Sequence, residues 1–489
     1  MLNLFLALSS AGLLVLVFPG FDYSALAAVA LAPLLVASIR EHRPLRRLLL
    51  GEAAGFVYWF GTCYWIQFVL EVHGSMGFWG SWGAFLLFCL YKALHMAVFT
   101  FAAGILMRRA YAIPAVAALW VAIERTHGTM GFAWQTLGNA GIGMSVPLRL
   151  APFTGVYGLS FVFVMLSAGL ALAALRRRRR ELAWLLALPL LYLFPSLPAA
   201  QPGQERAVLV QPNVSESEDW TTQFYSETTN RLAYLTLQAA VQPGIPPPRL
   251  IVWPEVPAPF VYDSDPAFRD YAGSLARSAR SFFLLGVVAH TPEGAPLNSA
   301  VTLGPGGEYL GRYDKIYLVP FGEFVPPFLG FINRITQEAG DFAPGKKVVL
   351  FQAEGSRIGA FICYESAFPH LVRRFAADGA ELLVNISNDG YFGRSAAREQ
   401  HLKMARMRAV ENRRWILRAT NNGVTAAIDP AGRILERLPV DRAAALSTRY
   451  SYIAELTPYS RYGDWFALLC AAASLVALAF AKTSPQPTV

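Results

Sequence analysis

Apolar residues collect in long runs before residue 200 and in one last run near the C-terminus, with a mixed polar stretch from Gln204 to Gly463 between them. A helix crosses a hydrocarbon core of about 30 Å with about 17–25 predominantly apolar residues. The candidate spans are residues 2–18, 24–39, 50–70, 83–106, 148–175, 183–197 and 465–480, with a weaker one at 113–123. In the mixed stretch the period changes, and short aliphatic or β-branched runs alternate with amphipathic ones. Strands are predicted at 207–211, 250–253, 282–288, 299–303, 309–314, 348–351, 357–362, 382–387, 416–420 and 425–429, and helices at 222–241, 266–279, 369–378 and 399–412. Two sheets covered by helices on their outer faces satisfy this pattern. The chain divides into a membrane domain of seven helices at 1–200, an α/β domain at 204–463, and a C-terminal span with a short tail at 464–489.

Composition supports the division, because 489 residues at 54% apolar are too greasy for two soluble domains. The net charge of +9 suggests nucleic acid until it is divided by region. Residues 204–463 carry 27 Lys and Arg against 26 Asp and Glu, so the excess of basic charge lies in or beside the apolar runs. Basic charge placed there reports membrane topology, and no nucleic-acid partner is expected. The basic loops are Arg40, Arg43, Arg46 and Arg47, then Arg108 and Arg109, then the arginines at 176–180. Eight crossings and a cytoplasmic N-terminus place all of these inside, whereas without a crossing at 113–123 the last cluster falls outside. Eight transmembrane helices are therefore predicted, with both termini cytoplasmic and the α/β domain extracytoplasmic. The first run has no basic residue before it and a second run follows almost at once, so it is a retained helix rather than a signal peptide. Lys92 and His95 interrupt an apolar run and should face the bundle interior or water.

Of the four cysteines, Cys63, Cys89 and Cys470 fall in or beside apolar runs, and Cys363 stands alone in the mixed domain. A lone thiol in an oxidising compartment makes no internal disulfide and is either buried and inert or kept for its reactivity. No Cys/His spacing suggests a metal, and no cofactor is expected. Three polar residues follow predicted strands, where α/β folds place their chemistry: Glu255 in Trp253-Pro254-Glu255, Lys315 closing Arg312-Tyr313-Asp314-Lys315, and Cys363 before Tyr364-Glu365-Ser366. A thiol between a strand end and a helix N-terminus is expected to have its thiolate favoured. Glu255 can serve it as base and later return the proton, and Lys315 can stabilise an oxyanion together with a backbone N–H near Cys363. No histidine is near any of the three in sequence, so a Cys–His pairing is not indicated. Each residue also has a plainer reading: a solvated loop carboxylate, a surface ion-pair lysine, a core thiol. Spacing alone does not bring the three together.

The runs Trp253-Pro254-Glu255, Tyr313-Asp314-Lys315, Leu318-Val319-Pro320-Phe321-Gly322-Glu323 and Ile362-Cys363-Tyr364-Glu365 resemble the nitrilase superfamily. The segments from Ser387 to Gly393 and Thr420-Asn421-Asn422-Gly423, with the spans on either side, resemble its apolipoprotein N-acyltransferase branch in bacterial envelopes. The resemblance implies an α-β-β-α sandwich and a ping-pong acyl transfer. Cys363 would take an acyl chain from a phospholipid, usually phosphatidylethanolamine, and pass it to the α-amino group of a diacylated lipoprotein. It assigns Glu255 as base and acid, Lys315 as oxyanion partner, Glu323, Tyr364 and Glu365 as supports, and Trp220, Asn298, Tyr391 and Phe392 as substrate contacts. It further implies a monomer in the bacterial inner membrane, with the catalytic domain on the periplasmic side. The loop at 318–332, with Phe321, Phe324, Phe328, Leu329 and Phe331, is apolar enough to act as a lid against lipid or to pack on its own domain. A membrane-tethered amidase or nitrilase would keep the same three residues. A transporter or scaffold would need none of them.

Overall fold

The computed structural model describes residues 1–129, 132–176, 179–215, 219–320, 322–324 and 342–483. Two compact units emerge, one from Met1–Glu71, Gly77–Leu197 and Tyr462–Val489, the other from Val72–Met76 and Pro198–Arg461.

The first unit is helical. Gly77–Leu106 and Val156–Ala174 are each long and apolar enough to cross a membrane, and the pair Pro44–Thr62 and Trp65–Val72 makes a third candidate bent by 63°. Leu2–Val17, Ser24–Arg40 and Trp465–Ala481 are apolar but shorter. Several predicted runs are broken. The run at 24–39 opens as a 3-10 turn, Ser24–Ala28, before the helix Ala32–Arg40, which has a proline in its first turn. The run at 183–197 is not an α-helix: it forms a 3-10 helix, Ala183–Leu193, with Pro189 inside it, where a missing N–H breaks the α ladder. The weak run at 113–123 belongs instead to a longer helix, Ala112–Thr129. That helix continues through Glu124 because the buried carboxylate is satisfied, accepting from Trp120 Nε1 (3.1 Å), the Leu137 N–H (2.7 Å) and Ser160 Oγ (2.6 Å). Pro44–Thr62 lies close on Gly77–Leu106 because of small residues: a Cβ on Gly51 would stand 2.5 Å from Met96 O, and one on Gly55 2.7 Å from Ala93 Cα. Lys92 is buried in this bundle, its Nζ donating to Phe132 O (3.0 Å) above the Trp59 ring.

The second unit is built on twelve strands: β1 (Glu205–Gln211), β2 (Leu250–Val252), β3 (Phe282–His290), β4 (Pro296–Leu303), β5 (Tyr309–Asp314), β6 (Leu350–Ala353), β7 (Ser356–Ile362), β8 (Leu382–Ser387), β9 (Ile416–Thr420), β10 (Ala426–Ile428), β11 (Ile434–Arg437) and β12 (Ala444–Tyr450). They form two six-stranded sheets, ordered β12-β1-β2-β3-β4-β5 and β11-β10-β9-β8-β7-β6. The helices Thr222–Ala240 and Pro266–Ala279 close a core of Val208, Ile251, Trp253, Phe260 and Phe283 against the first sheet. Asp265 caps the second of these, accepting from the Phe268 N–H at 3.0 Å, and Pro266 opens its first turn. Pro369–Ala377 and Ala397–Asn412 cover the second sheet, and β1 and β4 of one sheet touch β9 and β7 of the other. The layers run helix, sheet, sheet, helix. Ala397–Asn412 is buried almost all round rather than on one stripe, which requires internal ion pairs such as Arg408 Nε–Glu411 Oε2 at 2.9 Å.

Candidate active site

Glu255, Lys315 and Cys363 lie 60 and 48 residues apart in sequence, yet each follows the C-terminal end of a strand, β2, β5 and β7 in turn. Glu255 follows β2 and is buried. The chain turns sharply after it, with Val256 at φ +32, a region β-branched residues seldom occupy. Gly286 on β3 permits this turn: a Cβ there would stand 2.3 Å from Pro254 O and 2.7 Å from Glu255 Cα. Gly286→Ala is therefore expected to cost about 1–3 kcal/mol through overpacking. Because the shift falls on Glu255, it should also lower turnover about 10- to 100-fold. Thermal unfolding and initial rates measured side by side check this; an unchanged rate would mean that the Glu255 backbone had not moved.

Lys315 is pinned through its backbone, donating to Asn298 O (2.8 Å) and accepting from the Gly345 N–H (2.7 Å). Its Nζ, 1% exposed, donates to Glu255 Oε1 at 3.0 Å and Glu323 Oε1 at 2.8 Å. Burial opposes its charge, but Glu255 and Glu323, with Cys363, outweigh it and hold its pKa well above the ordinary value. Asn298 Nδ2 donates to the same two oxygens, at 2.8 Å and 2.7 Å. The second oxygen of each carboxylate is held by backbone: Glu255 Oε2 accepts from the Asn388 N–H and Glu323 Oε2 from the Val319 N–H, both at 2.8 Å. Glu255 is thus fixed from both sheets.

Cys363 follows β7 and opens a short 3-10 turn, Cys363–Ala367, with its own φ at +49. It is 5% exposed. The expectation of a favoured thiolate is corrected here: burial, then the Glu255 charge, push the thiol above its ordinary value, and Lys315 offsets this only in part. Five residues of 3-10 turn supply too little dipole to reverse that. This shift favours the protonated thiol. Glu365 ties this strand end to that of Lys315, accepting from Ile362 N–H (2.7 Å), Ile316 N–H (2.7 Å) and Tyr313 Oη (2.7 Å). Burial pushes its carboxyl up to about 7 in spite of these donors.

The other predicted residues are distributed unevenly. Tyr364 is buried with its ring edge-on to Phe368. Trp220 is exposed with its ring on Phe224, and Tyr391 is exposed with its ring 4.4 Å from that of His73. Phe392 is buried against the ring of His401. Of the apolar loop, Phe321, Phe328, Leu329 and Phe331 lie outside the described residues.

Sequence reasoning passed over His401, whose Nε2 stands 2.9 Å from Cys363 O. The ring reaches the backbone carbonyl of Cys363. Asp389 lies behind it, fully buried, bonded to His401 Nδ1 (2.9 Å), Ser387 Oγ (2.8 Å) and Arg418 Nη2 (2.8 Å). Burial would raise this carboxyl, but Arg418 and His401 hold it well below the usual range. A histidine 38 residues from the cysteine carries no sequence signal that would have singled it out.

The carbon–nitrogen hydrolase family matches residues 206–448, and the apolipoprotein N-acyltransferase N-terminal domain matches residues 10–169. The apolipoprotein N-acyltransferase of Geobacter metallireducens is 35% identical over 98% of this chain and 95% of its own. That of Azotobacter vinelandii is 36% identical over 99% and 97%. Among solved structures, a variant of the Nesterenkonia AN1 amidase of the nitrilase superfamily aligns at 20% identity with a TM-score of 0.40, covering 55% of this chain and 97% of the amidase. With both halves matched in order and relatives aligned from end to end, the chain belongs to the apolipoprotein N-acyltransferase family of enzymes.

Proposed function

We propose that this enzyme moves a fatty acyl chain from a membrane phospholipid, phosphatidylethanolamine in the first instance, to the α-amino group of an S-diacylglyceryl cysteine at the N-terminus of a lipoprotein. The observation that carries this reading is the buried grouping of Glu255, Lys315 and Cys363, in a chain whose relatives of that name align along nearly its whole length.

The proposed steps follow from the chemistry of these groups. Glu255 takes the thiol proton as Sγ attacks the ester carbonyl, so the neutral resting thiol costs no separate ionisation. The tetrahedral oxyanion forms beside Lys315, whose charge is held in place by two carboxylates and needs no reorganisation. Glu255 then returns the proton to the glycerol oxygen, the C–O bond breaks, and a lysophospholipid leaves a thioester on Cys363. In the second half the lipoprotein amine attacks the thioester, Glu255 accepts a proton from its nitrogen and passes it to the leaving sulfur as the C–S bond breaks, giving an amide and the free thiol. Glu323 and Glu365 position Lys315 and Cys363, and Asn298 orients Glu255. Trp220, Tyr391 and Phe392 would line the approach of the acyl chains. Eight crossings, with the α/β unit on the periplasmic side of a bacterial inner membrane, agree with the placement of the basic loops.

Purified enzyme supplied with phosphatidylethanolamine and a diacylglyceryl-cysteine lipopeptide should add one acyl chain to the peptide, and an N-acetylated peptide should receive none. Release of free fatty acid at the same rate with or without peptide would instead identify a hydrolase and overturn the transfer.

A further inference from the structure

Cys363 sits at φ +49, a left-handed conformation that costs a non-glycine residue on the order of 1–2 kcal/mol and persists only where its surroundings hold it. Its carbonyl oxygen is 2.9 Å from His401 Nε2. A carbonyl only accepts, so Nε2 carries a proton. The other ring nitrogen faces Asp389 Oδ1 at 2.9 Å and Arg418 Nη2 at 3.1 Å. Nδ1 can donate to the first or accept from the second, and the Nε2 proton stays on the Cys363 carbonyl in either case. Arg418 in turn reaches Asp389 and Asn385 on β8. Phe392 meets the imidazole edge-on, so the ring is fixed by packing as well as by bonds.

The bonded carbonyl belongs to the peptide that joins Cys363 to Tyr364, and no peptide in the described chain is cis. In a trans peptide the N–H points opposite to the C=O. Holding the carbonyl toward His401 therefore turns the Tyr364 N–H away from it, and a hydrogen bond on the carbonyl polarises that N–H as a donor.

We propose that His401, braced by Asp389 and Arg418, is a positioning residue that fixes the peptide after the nucleophile, setting both the rotation of Cys363 and the direction of the Tyr364 N–H for acyl transfer. It acts through the backbone carbonyl of Cys363. The inference rests on the acyl-transfer reading above, because it concerns the same thiol.

The test compares His401→Met with His401→Gln in the full-length enzyme. The two side chains have similar length and volume, and glutamine alone keeps an N–H donor. Acylation of Cys363 by phosphatidylethanolamine is followed in a single turnover by mass spectrometry, across phospholipid concentrations, and a thiol alkylating reagent counts the intact sites. His401→Met should slow acylation about 10- to 100-fold at saturating lipid. Half-saturation and the alkylated fraction should stay as in the wild type, and His401→Gln should recover most of the rate. Equal rates for Met and Gln would overturn the proposal. So would a loss in the Met variant that lies wholly in the number of intact sites. If the wild type itself forms no adduct, the acyl-transfer reading fails, and the positioning proposal fails with it.

Discussion

Cys363→Ala is expected to lower acyl transfer by at least about 10,000-fold and to abolish the covalent adduct. Incubated with phospholipid alone, the wild-type enzyme should gain the mass of one fatty acyl chain, removable by hydroxylamine as a thioester is. Cys63, Cys89 and Cys470 are buried in the helical unit, and an adduct on any of them would persist in the alanine variant. Cys363→Ser keeps the shape of the site but offers a far weaker acid, so Glu255 gains little by taking its proton. Any adduct on that variant would be an oxygen ester that resists hydroxylamine more strongly. The alanine variant should fold, because it removes only the sulfur and keeps the same backbone. An adduct of wild-type size on Cys363→Ala would sink the mechanism.

Much of the α/β unit was legible because its strands are nearly continuous aliphatic runs. Leu382–Ser387 and Ile416–Thr420 match their predicted bounds, as buried parallel strands should. Two strands were not seen. Ala444–Tyr450 begins with two alanines and carries three consecutive polar residues, Ser447, Thr448 and Arg449, and it is a strand because it pairs with β1 along its whole length. Ile434–Arg437 is an edge strand with mostly outward residues. In the helical unit, hydropathy found the apolar runs but not their breaks. Where Thr62 gives way to Trp65 the chain bends by 63°, a tertiary choice that the window average conceals.

The site divides in the same way. Glu255, Lys315 and Cys363 each stand at a strand end, which sequence can mark. Their meeting depends on strand order within each sheet and on the two sheets facing each other, which no local pattern encodes. The sign of the thiol's shift was missed for a related reason. A strand end followed by a turn suggests a stabilised thiolate, but the packing that buries Cys363 beside Glu255 reverses it. Asn298 was named only through resemblance, and the structure supplies the physical content: one amide nitrogen donating to both carboxylates that flank Lys315.

Lys315→Met should lower acyl transfer by about 1,000-fold, the scale set by loss of an oxyanion partner. Unlike Cys363→Ala, it should also destabilise the fold, by about 3–5 kcal/mol, because two carboxylates are left buried without their cation. Glu255 and Glu323 each place Oε1 within 3.0 Å of Nζ, and Asn298 Nδ2 then remains between them as a neutral donor. In the variant the two carboxylates are desolvated and repel each other with no cation between them. That repulsion acts only while both carry charge, so it is full at neutral pH and weakens toward acid. The deficit against wild type should therefore be smaller at pH 5 than at pH 8, as thermal unfolding at the two pH values would show. Adding Glu255→Gln removes one uncompensated charge, so the double variant should regain part of the stability at pH 8. It should regain no activity, since the base is then missing as well. Were Lys315→Met as stable as wild type at pH 8, the ammonium would not be what holds the two carboxylates together.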